Sequence, residues 1–156
     1  MANYKKVKKT AYICGPIREL DTLTRKQVMR FYQRIADVFK EVTGLDAFVP
    51  HKRFDPENYV DTPKEIDRVE RYQVCNRTSL LIVAAVAPSW GGGIEVEMAN
   101  QNNVPVVILC EREKLKNRKL SRLLMGNHAI EKIIEYDTED EAVHKLMEWL
   151  GFLDFT

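Results

Sequence analysis

The chain has 156 residues, of which 45% are hydrophobic and 30% are charged. These proportions are ordinary for a globular protein, and the length predicts one domain over residues 1–156 with room for a sizeable core. The formal net charge is only +1, which excludes the strong basic field of many nucleic-acid and membrane-surface binders. No apolar run approaches the ~18 residues of a membrane span, and no secretory segment is visible. We therefore expect a cytoplasmic protein that binds neither nucleic acid nor membrane.

The cysteines give no sign of a disulfide framework or a metal site. Cys14, Cys75 and Cys110 are scattered along the chain and form no CxxC pair. No other cluster of metal-ligating residues is visible, so the sequence predicts no metal and no cofactor. Cys14 and Cys110 lie in apolar runs and are interpreted as small core residues. The basic start, with lysines between residues 5 and 9, is interpreted as a solvated terminus.

The first half of the chain alternates short apolar runs with amphipathic segments. Gly15-Pro16 ends the first run, and Pro50 stops the second. Thr22 or Thr24 is the expected cap of the first helix, and Gly44 is expected to close it. The expected elements are strands at 9–14 and 47–49 and helices at 24–43 and 63–79, with a loop at 51–63 over one side of the site.

The second half continues the alternation. The run at 80–86 is apolar throughout, which predicts a central strand that is buried on both faces. Pro105 is tolerable near the start of the next strand, because the first residues of a strand need not donate to the ladder. The expected elements are strands at 80–86, 104–110 and 129–135 and helices at 94–103, 120–125 and 139–150, with a charged loop at 111–119.

This alternation of strands and helices predicts an α/β fold with a five-stranded parallel sheet and helices on both faces. Ligands of such folds bind beyond the carboxyl ends of the strands. Polar or glycine-rich segments follow several of the predicted strands there. They are residues 15–18, His51, residues 89–95 and Ser121.

The stretch Ser89-Trp90-Gly91-Gly92-Gly93-Ile94-Glu95 joins the central strand to a helix. A glycine-rich helix start favours anions, because backbone N–H groups and the helix dipole both present positive charge. We interpret Ser89 as a substrate-binding residue and Glu95 as the residue that performs chemistry. Ser89 could instead only cap the helix, and Glu95 could be an acid that the dipole favours in the first turn. Glu97 is expected to face solvent.

Three further residues have two interpretations each. Arg18 is well placed for a phosphate after the first strand, but could be an ordinary surface residue. His51 is more often a loop histidine than an acid or base. Tyr12 lies inside the first strand and is expected in the core, with a hydroxyl that needs a partner near the strand end. Neither a dinucleotide fingerprint nor a P-loop is present.

Three signatures resemble the nucleoside 2-deoxyribosyltransferase superfamily, and most of all its 2'-deoxynucleoside 5'-phosphate N-hydrolase branch. The opening strand and loop of that branch is similar to residues 12–18, Tyr-Ile-Cys-Gly-Pro-Ile-Arg. Its glycine-rich turn with the catalytic glutamate is similar to residues 88–95, Pro-Ser-Trp-Gly-Gly-Gly-Ile-Glu. Its leucine-serine stretch is similar to residues 120–126. The signatures occur in order across nearly the whole chain, and together they are far more specific than any one alone.

The resemblance implies a Rossmann-like (flavodoxin-like) three-layer sandwich that works as a homodimer or a larger homo-oligomer. It implies that Glu95 attacks the anomeric carbon and forms a glycosyl-enzyme intermediate, with Tyr12 beside it in the catalytic group. It also implies that Ser121 reaches the phosphate from the partner subunit. The substrate-binding residues that it implies are Gly15, Ile17, Arg18, Ser89, Gly91, Gly93 and Ser121.

The chain departs from the family at one position. The family usually carries an aspartate on the helix before the central strand, where it contacts the sugar and steadies the glutamate. Ungapped alignment from Pro88-Ser89 puts Arg71 at that position. Glu70 or Asp67 could substitute after a shift, and the sequence leaves these alternatives open.

The expected activity is hydrolysis of the N-glycosidic bond of a (deoxy)nucleoside 5'-monophosphate. Cleavage of this bond passes through an oxocarbenium-like state, which a carboxylate below the ring can stabilise or trap covalently. Serine hydroxyls, backbone N–H groups and Arg18 suit the phosphate monoester. The alternatives are a nucleoside deoxyribosyltransferase that exchanges bases and a non-catalytic nucleotide-binding protein.

Overall fold

The computed structural model describes residues 9–58 and 60–155, so Lys5, Lys6 and Lys8 of the basic start lie outside the described residues. Five strands form one sheet in which every neighbouring pair is parallel. The strands are β1 (Thr10–Cys14), β2 (Ala47–Phe48), β3 (Thr78–Ala84), β4 (Val106–Glu111) and β5 (Ile130–Tyr136). Their order across the sheet is β2-β1-β3-β4-β5.

The helices are α1 (Thr22–Thr43), α2 (Pro50–Arg53), α3 (Pro63–Arg77), α4 (Trp90–Gln101), α5 (Arg112–Lys116), α6 (Arg122–Met125) and α7 (Glu139–Leu150). One core lies between the sheet and α1 with α7, and a second lies between the sheet and α3 with α4. The helices therefore cover both faces, which confirms the predicted α/β sandwich with a five-stranded parallel sheet. Across residues 9–58 and 60–155, the structure contains no helix with the length and apolarity needed to span a bilayer.

The ends of α1 show why this segment forms a helix. Its N-cap is Asp21, whose carboxylate accepts the N–H of Thr24 at 3.0 Å. The prediction that Thr22 or Thr24 caps this helix was wrong. Asp21, just before the helix begins, accepts the unpaired N–H of the first turn instead. Gly44 closes the helix as expected. It adopts φ = +71°, a conformation that favours glycine, and its N–H donates to the carbonyl of Lys40 at 2.8 Å.

Two segments that were expected to be loops contain short helices. Residues 50–53 form α2, where Pro50 sets a helical φ at the first position. Residues 112–116 form α5 inside the charged segment. Neither helix is long enough to repeat an apolar face, so the helical period is invisible in the sequence. Other element boundaries differ from the expected ones by a few residues, as helix and strand ends often do.

The central strand β3 lies two residues earlier than expected, at 78–84 instead of 80–86. The expectation followed the apolar run, but hydrogen bonding decides where a strand ends. The N–H of Ala85 still donates to the carbonyl of Leu109 at 2.9 Å. The next N–H, that of Val86, turns back to the carbonyl of Ala84 at 2.9 Å. The chain therefore leaves the sheet before the apolar run is finished.

The strand order places the switch point of the sheet between β1 and β3. The chain leaves β1 toward β2 on one side, while β3 leads on to β4 and β5 on the other. In open parallel sheets the connections diverge at such a point and leave a crevice at the carboxyl edge. The loops that meet at this crevice are residues 15–21 after β1 and residues 85–89 after β3.

Candidate active site

Tyr12 and Glu95 meet in the interior beside this crevice. The Tyr12 hydroxyl donates to Glu95 Oε1 at 2.7 Å, although 83 positions separate the two residues in the chain. Tyr12 is fully buried, and its ring stacks on Phe48 with centroids 5.3 Å apart. Only 9% of Glu95 is exposed. The tyrosine is thus a core residue, as expected, and the partner of its hydroxyl is the candidate nucleophile.

Glu95 lies in the second turn of α4, because the helix begins at Trp90 and not at the expected Ile94. The first turn of α4 contains no acidic residue. The alternative in which Glu95 only satisfies the helix dipole therefore loses its basis, since that effect fades beyond the first turn. Glu97 is exposed as expected, and it accepts the side-chain amide of Asn127 at 2.9 Å.

Glu70 supplies a second carboxyl group to Glu95. It lies on α3, and the two side chains share a hydrogen bond. Burial first, and then the charge of Glu95, raise the pKa of Glu70 to about 8. Burial also raises the pKa of Glu95, while hydrogen bonds from Cys14, Tyr12 and Glu70 oppose that rise. At neutral pH Glu70 therefore carries a proton, and its hydrogen bond to Glu95 favours the ionised form of that carboxyl.

Arg71 points away from this cluster. Its guanidinium pairs with Asp67 on the same helix, with Nη2 and Oδ1 2.8 Å apart, and both side chains are about half exposed. Of the substitutes that the sequence left open, Glu70 contacts Glu95 and Asp67 does not hydrogen-bond to it. Of the two acids that the sequence left open, Glu70 is thus the one that faces Glu95.

The glycine-rich stretch forms the start of α4. Ser89 is the N-cap, and its Oγ accepts the N–H of Gly92 at 3.1 Å. The three glycines differ in their surroundings. A Cβ added to Gly91 or Gly93 would meet nothing within 4 Å, whereas one added to Gly92 would lie 3.2 Å from both Cys14 Sγ and Ser89 Oγ. Gly92 is therefore the glycine that close packing requires, although the sequence singled out only its two neighbours.

An open groove of about 1250 Å³ runs along the carboxyl edge of the sheet on one side of this helix start. Its walls include four of the predicted substrate-binding residues, Gly15, Ser89, Gly93 and Ser121. Neither Tyr12 nor Glu95 lines it. Cys14 does line it, and the same side chain is hydrogen-bonded to Glu95. The predicted residues therefore fall into a buried acid cluster and an open groove, with Cys14 between them.

The remaining predicted residues lie around this centre. Ser121 caps α6, and its Oγ accepts the N–H of Leu124 at 3.3 Å. Ile17 packs against the core on the α1 side, and its carbonyl accepts from Arg25 Nε at 3.1 Å. Arg18 is exposed and does not line the groove. Gly91 is also exposed and lies outside the groove lining.

Lys114 is a groove residue that sequence reasoning did not select. Its Nζ donates to the carbonyl of Val86 and to Glu111 Oε1, the latter at 3.0 Å. These bonds connect α5 to the segment that follows β3, just before Ser89. The lysine occurs in a run of charged residues whose pattern carries no distinguishing signal. No group of three or more His, Cys, Asp or Glu residues that could hold a metal occurs in the described part of the chain.

Comparison with known proteins finds similar structures but no matching sequence. No protein-family model and no curated protein sequence matches the chain. Among solved structures, CMP N-glycosidase BcmB of Clostridium botulinum is similar, with 16% identity, a TM-score of 0.64 and coverage of 90% of this chain and 99% of that chain.

Two further solved structures are similar. A conserved protein from Enterococcus faecalis V583 has 17% identity, a TM-score of 0.64 and coverage of 90% of this chain and 98% of its own. The solution structure of BlsM has 17% identity, a TM-score of 0.69 and coverage of 94% and 92%. These similarities confirm the Rossmann-like fold that the resemblance to the nucleoside 2-deoxyribosyltransferase superfamily implied. At such identities they establish the fold alone.

Proposed function

We propose that the protein hydrolyses the N-glycosidic bond of a (deoxy)nucleoside 5'-monophosphate and releases the free base and a sugar 5-phosphate. The observation that carries this proposal is the buried cluster in which the Tyr12 hydroxyl donates to Glu95 at 2.7 Å beside Glu70. A carboxylate with a fixed hydroxyl donor at the switch point of a parallel sheet suits attack on a sugar. The same fold in a protein described as a CMP N-glycosidase supports the choice of substrate class.

In the proposed mechanism an oxygen of Glu95 attacks the anomeric carbon from below the sugar ring. The carbon–nitrogen bond breaks as the carbon–oxygen bond forms, and the base leaves with the electron pair and takes up a proton. Water then attacks the same carbon, releases the sugar 5-phosphate and returns Glu95 to its carboxylate form. Tyr12 and protonated Glu70 orient the carboxylate through their hydrogen bonds, so that one oxygen stays aimed at the sugar.

The 5'-phosphate in this proposal binds at the start of α4. The first N–H groups of a helix have no partner within the helix, and the dipole adds partial positive charge there. The Ser89 oxygen accepts the N–H of Gly92, which leaves the hydroxyl hydrogen available for a phosphate oxygen. Ser121 lines the same groove. Arg18, Gly15, Ile17, Gly91 and Gly93 complete the proposed substrate contacts.

The test is incubation of the purified protein with a panel of ribo- and deoxyribonucleoside 5'-monophosphates, followed by chromatography for free base. We expect base release from at least one nucleotide, and loss of that release in Glu95→Gln. Arg71→Gln is the matched control on the surface, and it should retain activity. An unreactive panel with the wild type, or equal release by Glu95→Gln, would overturn the proposal.

Water is the proposed acceptor, and a second nucleobase is the competing one. Because the intermediate is the same in both reactions, adding a free base to the assay distinguishes them. We expect the sugar 5-phosphate as the main product even with a second base in excess. A new nucleoside or nucleotide as the main product would identify a transferase instead.

We also propose that the protein is a homodimer. Large apolar side chains are exposed at the groove, with Trp90 89% and Leu123 88% solvent-accessible. Exposed clusters of this kind often mark association surfaces. Light scattering after size-exclusion chromatography should give twice the chain mass, and Trp90→Ser combined with Leu123→Ser should shift it toward the monomer. A wild type that is monomeric at high concentration would contradict this proposal.

A further inference from the structure

Cys14 occupies the boundary between the buried acid cluster and the open groove. It is the last residue of β1, at the switch point of the sheet, and only 1% of it is exposed. The residue nevertheless lines the groove wall. The sequence suggested only a small core residue, and the surroundings of the thiol differ from those of an ordinary core position.

Two acceptors on α4 lie next to this thiol. Cys14 Sγ is 3.6 Å from the carbonyl oxygen of Gly92, in a geometry that suits donation. The side chain of Glu95 is the second acceptor near the thiol, which has a single hydrogen that the two acceptors must share. Gly92 and Glu95 are three residues apart on the helix, so one sulfur atom touches both its first and second turns. Burial and the charge of Glu95 raise the pKa of Cys14, which keeps the thiol protonated and therefore a donor.

The same sulfur atom lies against the start of α4. A Cβ at Gly92 would lie 3.2 Å from Cys14 Sγ and 3.2 Å from Ser89 Oγ, so no side chain separates the thiol from the capping serine. A displacement of the sulfur would therefore reach both the carboxylate of Glu95 and the N-cap of α4. In the proposed function these two groups hold the anomeric carbon and the phosphate.

We propose that Cys14 is a positioning residue that orients the Glu95 carboxylate and holds it in register with the Ser89 cap. The proposal rests on the proposed function, in which Glu95 is the nucleophile. Cys14 does not contact substrate atoms in this role, and it acts through Glu95. The other groups that face Glu95 are Tyr12 on β1, Glu70 on α3 and the more distant Glu19 after β1. All of them remain unchanged in the test below.

The test compares Cys14→Ala and Cys14→Ser with Cys110→Ala. Cys110 is a matched control, because it is another buried cysteine at a strand end, 1% exposed, whose sulfur lies 3.6 Å from a carbonyl oxygen, that of Glu111. Among the described residues, Cys110 makes no hydrogen bond to a carboxylate. The measurements are the pH dependence of kcat and KM for base release, and thermal unfolding.

We expect Cys14→Ala to lower kcat by about tenfold with a smaller change in KM. The acid limb of the kcat profile, where activity falls as pH falls, should move to higher pH by about one unit in this variant. The reason is that the ionised Glu95 carboxylate loses a hydrogen-bond donor. Cys14→Ser keeps a donor at this position and should restore kcat and the acid limb. Cys110→Ala should leave the acid limb in place even where it lowers the melting temperature. Equal behaviour of the two alanine variants would overturn the proposal.

A second readout separates this inference from the proposed function. The carboxyl carbons of glutamate, labelled with carbon-13, report the titration of Glu95 by NMR without any substrate, and Glu95→Gln assigns the signal. Cys14→Ala should shift that titration to higher pH whether or not base is released. If the wild type releases no base but the titration shifts, the proposed function fails and the contact stands. An unshifted titration overturns the role of Cys14.

Discussion

Glu70 and Glu95 form a coupled pair in which each protonation state depends on the other. Two carboxylates so close together in a buried site cannot both ionise at low cost, so the pair retains one proton near neutral pH. Burial and the charge of Glu95 raise the pKa of Glu70 to about 8, so Glu70 carries a proton at neutral pH. The Tyr12 hydroxyl donates to Glu95 Oε1. Glu95 is therefore held by neutral donors that leave its charge for the sugar.

Substitutions at Glu70 should separate its hydrogen bond from its charge. Glu70→Ala removes the donor and should lower kcat/KM at pH 7 by about 10²-fold. Glu70→Gln keeps a neutral donor and should stay within about tenfold of the wild type. The wild type should lose activity above about pH 8, where Glu70 ionises beside Glu95, and this alkaline limb should be absent from Glu70→Gln. Steady-state assays of base release across pH 5–10 check both points.

The control for this experiment lies on the adjacent residue. Arg71→Ala removes an exposed ion pair with Asp67, and such pairs contribute little to stability. We expect it to leave kcat/KM and the pH profile unchanged within about twofold. If Arg71→Ala were as damaging as Glu70→Ala, the assignment of the inward-facing acid to Glu70 would be wrong.

Tyr12→Phe should lower kcat by about 10²-fold, because it removes the hydroxyl that donates to Glu95. Tyr32→Phe is a matched control, since it removes another buried hydroxyl, one that donates to the carbonyl of Pro16 at 2.7 Å. Both variants should lose similar thermal stability, but only the first should lose most of its turnover. Equal losses of turnover would show that a general weakening of the fold, and not the bond to Glu95, is responsible.

At the scale of elements, the start of α4 determines where the candidate site lies. Ser89 stops the extended chain after β3 and begins the helix. This start turns Glu95 inward in the second turn and leaves the first N–H groups at the crevice. The contact of Gly92 with Cys14 links this helix to β1, and Lys114 links the segment before it to α5. Contacts with β1 and α5 therefore hold this helix start in place.

Alanine substitutions in the glycine stretch should have opposite effects on stability. Gly92→Ala should reduce the free energy of unfolding by about 1–3 kcal/mol, because its Cβ would crowd Cys14 and Ser89. Gly91→Ala meets no atom within 4 Å and should be neutral or stabilising by up to ~1 kcal/mol, since alanine favours the helix. Urea unfolding of both variants measures the difference. A Gly92→Ala variant as stable as Gly91→Ala would contradict the packing argument.

At the scale of the whole molecule, the acid cluster makes stability depend on pH. The pKa of Glu70 rises from its ordinary value of 4.5 to about 8 on folding. Between these values the folded state binds the extra proton, so stability falls as pH rises through this window and levels off above about 8. Burial also raises the pKa of Glu95 on folding, so this residue contributes to the pH dependence in the same direction. A hydrogen bond from Lys145 lowers the pKa of Glu141 to about 2, so the contribution of Glu141 to stability is lost only as pH falls below its ordinary 4.5.

We therefore expect the wild type to have a lower melting temperature at pH 9 than at pH 7. Glu70→Gln should reduce that difference, because glutamine does not titrate. The comparison avoids the range below pH 6.5, where the lowered pKa of His51 would act in the opposite direction. Calorimetry at the two pH values is the measurement, with Arg71→Gln as the control. An identical difference in the wild type and Glu70→Gln would disprove the assignment.

The fold was accessible from the sequence because it depends on patterns repeated over many residues. Apolar runs alternate with amphipathic segments along the chain, and this alternation alone predicts the parallel sheet. The short helices α2 and α5 were not predicted, because four or five residues are too few to show a helical period of apolar side chains. The start of α4 was placed four residues late, because glycines are poor helix formers and only the Ser89 cap overrides that preference.

For the candidate site, the sequence by itself determined which residue types follow the strands, including Ser89 and Glu95. Only the tertiary structure decided that Glu70, and not Arg71 or Asp67, contacts Glu95, because the two helices must pack before one face of α3 is turned inward. The same holds for Cys14, whose neighbours Gly92 and Glu95 lie about eighty positions away in the chain. Local patterns specify elements, whereas contacts between distant residues specify protonation states and the orientation of a reactive group.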